Sequence, residues 1–162
     1  MNFNKVLYLF LMTGCIFAGC QSDSDSETKQ KQQEAAEHAF RSTSVEFTDQ
    51  WAQAAQKDGN SAVYLQIYNG TATADTLVAV HSAVAGEAAL HESFQEKGLT
   101  GMRPADRLVI SPKSMLALQP GGLHIMLMNT KQRLAEGDSI QVVIELARTG
   151  KKEVTVPVRL AN

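Results

Sequence analysis

The chain has 162 residues, 44% of them hydrophobic, enough for one domain of ordinary size with a true core and a short appendage. A formal net charge of -2 and a pI near 6.1 supply no basic face, so no nucleic-acid partner is expected. Cys15 and Cys20 are the only cysteines, and their place at the N-terminus excludes Cys-ligated zinc, iron–sulfur clusters, cysteine nucleophiles and the thiolate-dependent blue-copper site from the rest of the chain.

The N-terminal run MNFNKVLYLFLMTGCIFAGC carries Lys5 and then an apolar stretch from Val6 to Ala18, too short to span a bilayer comfortably. It reads as an export signal over residues 1–19. Its end, Phe17-Ala18-Gly19-Cys20, resembles a bacterial lipobox, in which Cys20 would be diacylated and become the new N-terminus. Phe17 stands where Leu, Val or Ile is usual, and a plain signal peptide with incidental cysteines is the competing reading. Cleavage at the Gly14-Cys15 pair would leave a shorter apolar region.

Residues 20–41 are polar until Phe40 and cannot bury enough surface to fold alone, which makes them a lipid-anchored tether with a reach of roughly 25 Å as a flexible coil. Helix formers from Glu27 to Ala39 show no apolar stripe, and His38 reads as a solvated linker histidine. Gln21 replaces the Asp that favours inner-membrane retention in some bacteria, so the expected location is extracytoplasmic, in the periplasm, anchored to the outer membrane.

Residues 42–162 are expected to form one β-sandwich domain. In SAVYLQIYNG, Val63, Leu65 and Ile67 alternate with Tyr64, Gln66 and Tyr68, and Asn69-Gly70 offers a turn able to take positive φ. Further β-rich runs follow at 75–86, 88–95, 106–110, 114–118, 122–129, 139–147 and 153–160, separated by glycine and proline signals, with no long helix. Pro157 points to an edge strand or a bulge in the last run.

The run GGLHIMLMNT places Leu123, Ile125 and Leu127 on one face of a strand and His124, Met126 and Met128 on the other. Aliphatic side chains suit the core, so His124 and Met126 are expected to point outward or toward the rim. Taken alone, this strand is read better as packing methionines beside a surface histidine. His91 and Met102 change that balance, because two His and two Met then fall in three segments, as a site between loops and strand ends of a sandwich requires. Soft thioethers with borderline imidazoles suit Cu(I) and are poor donors for Mg²⁺, Ca²⁺ or Zn²⁺. Methionine, unlike a thiol, is not lost to disulfides in an oxidising compartment.

The spacing His91, ten residues, Met102, twenty-one residues, His124-Ile125-Met126 is similar to the H(M)x10Mx21HxM signature of the periplasmic copper chaperones of the PCu(A)C family. TGMRPAD and LQPGGLHIMLMN resemble the family's segments around its methionine and its Pro-Gly-Gly-x-His-x-Met strand, and the similarity runs from about Val45 to Leu160. The resemblance implies a cupredoxin-like (Greek-key, Ig-like) all-β sandwich binding Cu(I) through His91, Met102, His124 and Met126. It also implies a shallow site and delivery toward the copper centres of cytochrome c oxidase, alongside a Sco-type thiol protein. Glu92 departs from the family, which often has Met there; its side chain should point away from His91.

Copper sequestration without a dedicated recipient, and a metal-free interaction sandwich, stay open as alternatives. So does Cu(II) at an additional site using a residue such as His38. His81 reads as a solvated or hydrogen-bonded histidine, Met115 as packing, Met128 as a neighbour of the site, and Trp51 and Tyr64 as cover for the sandwich edge. No nucleophile elbow or glycine-rich oxyanion loop accompanies His91-Glu92-Ser93, and no enzymatic activity is expected.

Overall fold

The computed structural model describes residues 43–96 and 98–160. The signal segment 1–19, Cys20, the tether and His38 lie outside the described residues.

Ten strands and no helix occur among the described residues: β1 (Val45–Gln53), β2 (Ser61–Asn69), β3 (Asp75–His81), β4 (Ala85–Glu96), β5 (Leu99–Pro104), β6 (Leu108–Ile110), β7 (Ser114–Leu118), β8 (Leu123–Thr130), β9 (Ser139–Leu146) and β10 (Gly150–Arg159). Strand order is β5-β4-β8-β2-β1-β10-β9-β3-β6, with β7 also on β2. The first five strands and β7 make one layer and the last four the other. A short parallel contact, Ala52 with Val158 and Gln53 with Arg159, links them between β1 and β10. The all-β sandwich is thus the observed fold.

Period-two alternation explains the core. Val63, Leu65 and Ile67 of β2 and Ile125 and Leu127 of β8 are buried on one face of the first layer. They join Ile140, Val142, Ile144 and Leu146 of β9 and Val154, Val156 and Val158 of β10 in a single apolar cluster.

Two strand readings need correction. The run 75–86 is not one strand: β3 ends at His81, a turn follows, and Ala85 already begins β4 in the other layer. The segment around Met102, which reads as punctuated loop, is the edge strand β5, because its ladder with β4 overrides its two glycines. Asn69-Gly70 does not close a hairpin, since β3 belongs to the other layer. The Asn69 side chain is instead buried, with Nδ2 donating to Thr73 O at 2.9 Å and Ile110 O at 3.0 Å. Pro157 sits opposite Ser139 of β9 without a bulge, and β10 meets β1 only beyond it, so the missing N–H falls where that side of the strand is open.

β7 and β8 share one flank of β2. Leu118 faces Leu65 and Ile125 faces Val63, so residues 119–124 have only Tyr64 opposite them. The surplus chain leaves the sheet as a small closed excursion. Gln119 N donates to Leu123 O at 2.7 Å, Gly122 N donates to Gln119 O at 3.1 Å, and Gly121 takes φ +76°, a conformation natural to glycine.

Candidate metal centre

Register alone brings the four predicted residues to one face. His91 of β4 is the direct cross-strand partner of His124 of β8, and Met126 lies two positions further along β8. Met102 of β5 pairs with Ser93, two positions from His91. Alternation therefore gives all four side chains the sheet face opposite the core residues Leu90, Ile125 and Leu127. The two imidazoles stand edge to face with centroids 6.1 Å apart. Met126 runs between Ala62 and Ala89, whose small side chains leave it room.

The glycine excursion orients His124. Its carbonyl at Gly122 accepts the backbone N–H of Ser93 at 3.0 Å and lies 3.0 Å from His124 Nδ1. A carbonyl oxygen only accepts, so Nδ1 carries the hydrogen, and in the neutral imidazole the lone pair is then on Nε2. His91 is in the complementary situation, with a buried Nδ1 that has no hydrogen-bond partner. Leaving such an atom unsatisfied costs on the order of 1–3 kcal/mol, and a bound cation is one way to recover it.

Burial across the face is graded. His124 takes the outward face expected for it, yet it is covered there and only 4% exposed. The cause is Tyr64, whose ring lies 6.2 Å from the imidazole and is itself backed by Trp51 at 4.6 Å. Tyr64 sits on the interior strand β2, while Trp51 sits on β1, the last strand of this layer, as expected of a residue covering the sandwich edge. His91 and Met126 are half-buried, while Met102, on the edge strand, is 57% exposed.

A polar brace on the reverse of the hairpin holds β5 against β4. Arg103 donates to Glu92 Oε2 through Nη2 at 2.9 Å and Nε at 3.0 Å, reaches Glu96 at 3.5 Å, and stands 5.3 Å over the Phe94 ring. The Phe94 ring lies on Gly101, where a Cβ would come within 2.8 Å of Cζ. Glu92, which departs from the signature, thus points away from His91 as strand geometry requires and braces the strand that bears Met102.

The remaining candidates stand apart. His81 is exposed, 3.9 Å from Glu145. Met115 is 52% exposed, so the packing role expected for it is not observed; Leu116 and Leu118 are the residues of β7 that turn to the core. Met128 pairs with Glu87, two positions beyond Met126. No cluster of three or more His, Cys, Asp or Glu forms among the described residues. A cation held on this face would therefore draw on the two thioethers. Sequence reading missed the excursion's orienting carbonyl, although the Pro-Gly-Gly run was its signal.

The β-sandwich is similar in fold to PCuAC domains of known structure. The copper-bound PCuAC domain from PmoF2 superposes with a TM-score of 0.61 at 18% identity, covering 72% of this chain and 93% of that one. The Cu(I) form of DR1885 from Deinococcus radiodurans gives 0.56 at 23% identity, covering 76% and 85%. The family described as "Putative lipoprotein LpqE-like" matches residues 45–158. "Putative lipoprotein Lxx21020" of Leifsonia xyli subsp. xyli is 32% identical over 116 residues, 71% of this chain and 69% of the relative. The chain belongs to the LpqE-like family.

Proposed function

We propose that the protein is an extracytoplasmic Cu(I)-binding chaperone, with His91, Met102, His124 and Met126 as its ligands. The observation that carries the reading is the direct pairing of His91 with His124, one with a buried, partnerless Nδ1 and the other with its Nδ1 held by the Gly122 carbonyl. Two sulfurs and two neutral imidazoles form a soft donor set without charge, which suits a monovalent soft ion. Copper is cargo here. The copper-bound state of the PmoF2 domain and the Cu(I) state of DR1885 support the same reading.

The gradient of exposure suits transfer. Met102 at the open edge would be the first ligand to exchange with an acceptor, while His124 holds the ion from beneath. In the finer reading, Cys20 carries the lipid anchor, residues 20–41 are the tether of the 42–162 domain, the anchor lies in the outer membrane, and the recipient is the copper-assembly machinery of cytochrome c oxidase with a Sco-type partner. The lipoprotein description of the family supports the anchor.

Titration of the full-length chain with Cu(I) against a chromophoric chelator tests the site. One equivalent should bind, with His124→Ala and Met126→Leu each losing at least ~tenfold in affinity. A chain that leaves all Cu(I) on the chelator would sink the reading. Deleting the gene separates delivery from buffering: loss of oxidase activity that added copper restores indicates delivery, and copper sensitivity with normal oxidase indicates sequestration.

A further inference from the structure

Trp51 reaches the metal face through an irregularity in β1. Between Thr48, opposite Gln66, and Trp51, opposite Tyr64, β1 has one residue more than its partner, and Asp49 within that bulge takes φ 54°. Before the bulge Phe47 points inward with Ile67; after it, Ala52 is the fully buried residue. Unbroken alternation from Phe47 would send Trp51 into the core. The bulge shifts the phase by one and turns the indole outward onto Tyr64.

The outcome is a row of four rings across four adjacent strands, Trp51, Tyr64, His124 and His91, with successive centroids 4.6, 6.2 and 6.1 Å apart. The row is asymmetric about the two imidazoles. On the β5 side stands the exposed Met102; on the β2 side stand two half-buried aromatic rings, which offer neither an imidazole nor a thioether. Tyr64 lies between the ladders of β2 with β8 and with β7, at the excursion, and its ring is 6.2 Å from the His124 imidazole, so this wall and the imidazole meet at the same irregularity of the sheet.

We propose that Tyr64, backed by Trp51, is the specificity-determining wall of the copper site, excluding water and further donors from the β2 side and so favouring Cu(I) over Cu(II). The inference rests on the Cu(I) reading above. Cu(II) prefers tetragonal sites with nitrogen and oxygen donors, water among them, whereas Cu(I) is content with few soft ligands. An apolar shell that denies solvent to the metal therefore stabilises the reduced ion, independently of the ligands themselves. Tyr64 and Trp51 act through solvent access and packing, so they are positioning residues and not ligands.

The test measures Cu(I) and Cu(II) affinities separately, by chelator competition, on the full-length chain and its variants, with His124→Ala used to subtract Cu(II) bound elsewhere. Tyr64→Ala should lower the ratio of Cu(I) to Cu(II) affinity at least ~tenfold, which corresponds to a midpoint potential lower by ~59 mV for one electron. Trp51→Ala should move it in the same direction by less, and Tyr64→Phe should restore it. Wild-type ratios in both alanine variants would overturn the proposal; if Tyr64→Ala loses its strand circular dichroism, an unchanged ratio in Trp51→Ala does so alone. A wild-type chain that binds no Cu(I) defeats the functional reading instead, and the two failures are distinguishable.

Discussion

Asp75 shows how one buried charge organises the end of the sandwich remote from the metal face. It is 2% exposed, and its carboxylate accepts from Thr76 N at 2.8 Å, Arg148 N at 2.8 Å, Thr149 N at 3.1 Å and Thr149 Oγ1 at 2.7 Å. Burial alone would push the carboxyl up, but these hydrogen bonds outweigh it and hold the group below its ordinary value of 3.8. A depressed folded-state value means that the contribution is fully present above the unfolded value and is lost as pH falls through the folded one. Asp75→Ala should cost ~3 kcal/mol at neutral pH, since it leaves several turn donors unsatisfied. In urea unfolding, the difference between wild type and Asp75→Asn should shrink at acid pH; a difference constant from pH 7 to the acid limb would contradict this account. At the same scale, His124 was legible as a ligand candidate from its neighbours in sequence, but its burial was not, because the rings that cover it come from residues 51 and 64.

At the scale of elements, the excursion between β7 and β8 converts a continuous strand into a support for the site. Its Gly121 has φ +76° with open space where a Cβ would stand, so any penalty on substitution is backbone strain and not a clash. Gly121→Val should therefore cost ~1–2 kcal/mol, lowering Tm by about 5 °C. It should also weaken Cu(I) binding, because the neighbouring Gly122 carbonyl orients His124. Differential scanning calorimetry and chelator competition check the two effects; unchanged Cu(I) affinity would show that the carbonyl does not position the ring. β5 was the element least visible in sequence. Leu99, Gly101 and Arg103 lack an alternating apolar face, and what makes them a strand is the ladder to β4 with its Arg103–Glu92 brace. Edge strands owe little to burial, so hydrophobic pattern underreports them.

Across the whole molecule, stability and chemistry occupy opposite faces of one layer. Ile125 is fully buried between the layers while His124 and Met126, its neighbours in sequence, turn to the metal face. Ile125→Ala should destabilise by ~3–4 kcal/mol through lost burial and the cavity left behind, read as a lower urea midpoint at unchanged m value. A stability loss under ~1 kcal/mol would mean that β8 does not anchor to the core as drawn.

By itself the sequence determined the all-β class, the core faces of β2 and β8, and the four residues that could meet over a soft cation. These follow from local rules: alternation with period two, turn chemistry, and the spacing of donor types along the chain. Tertiary structure decided which strands are neighbours, and hence that His91 stands opposite His124, that β5 is an edge, that a bulge at Asp49 turns Trp51 outward, and that the Tyr64 ring lies beside His124. Strand pairing joins residues far apart in sequence, and a one-residue shift in it exchanges the two faces of a strand, so no local pattern carries that information.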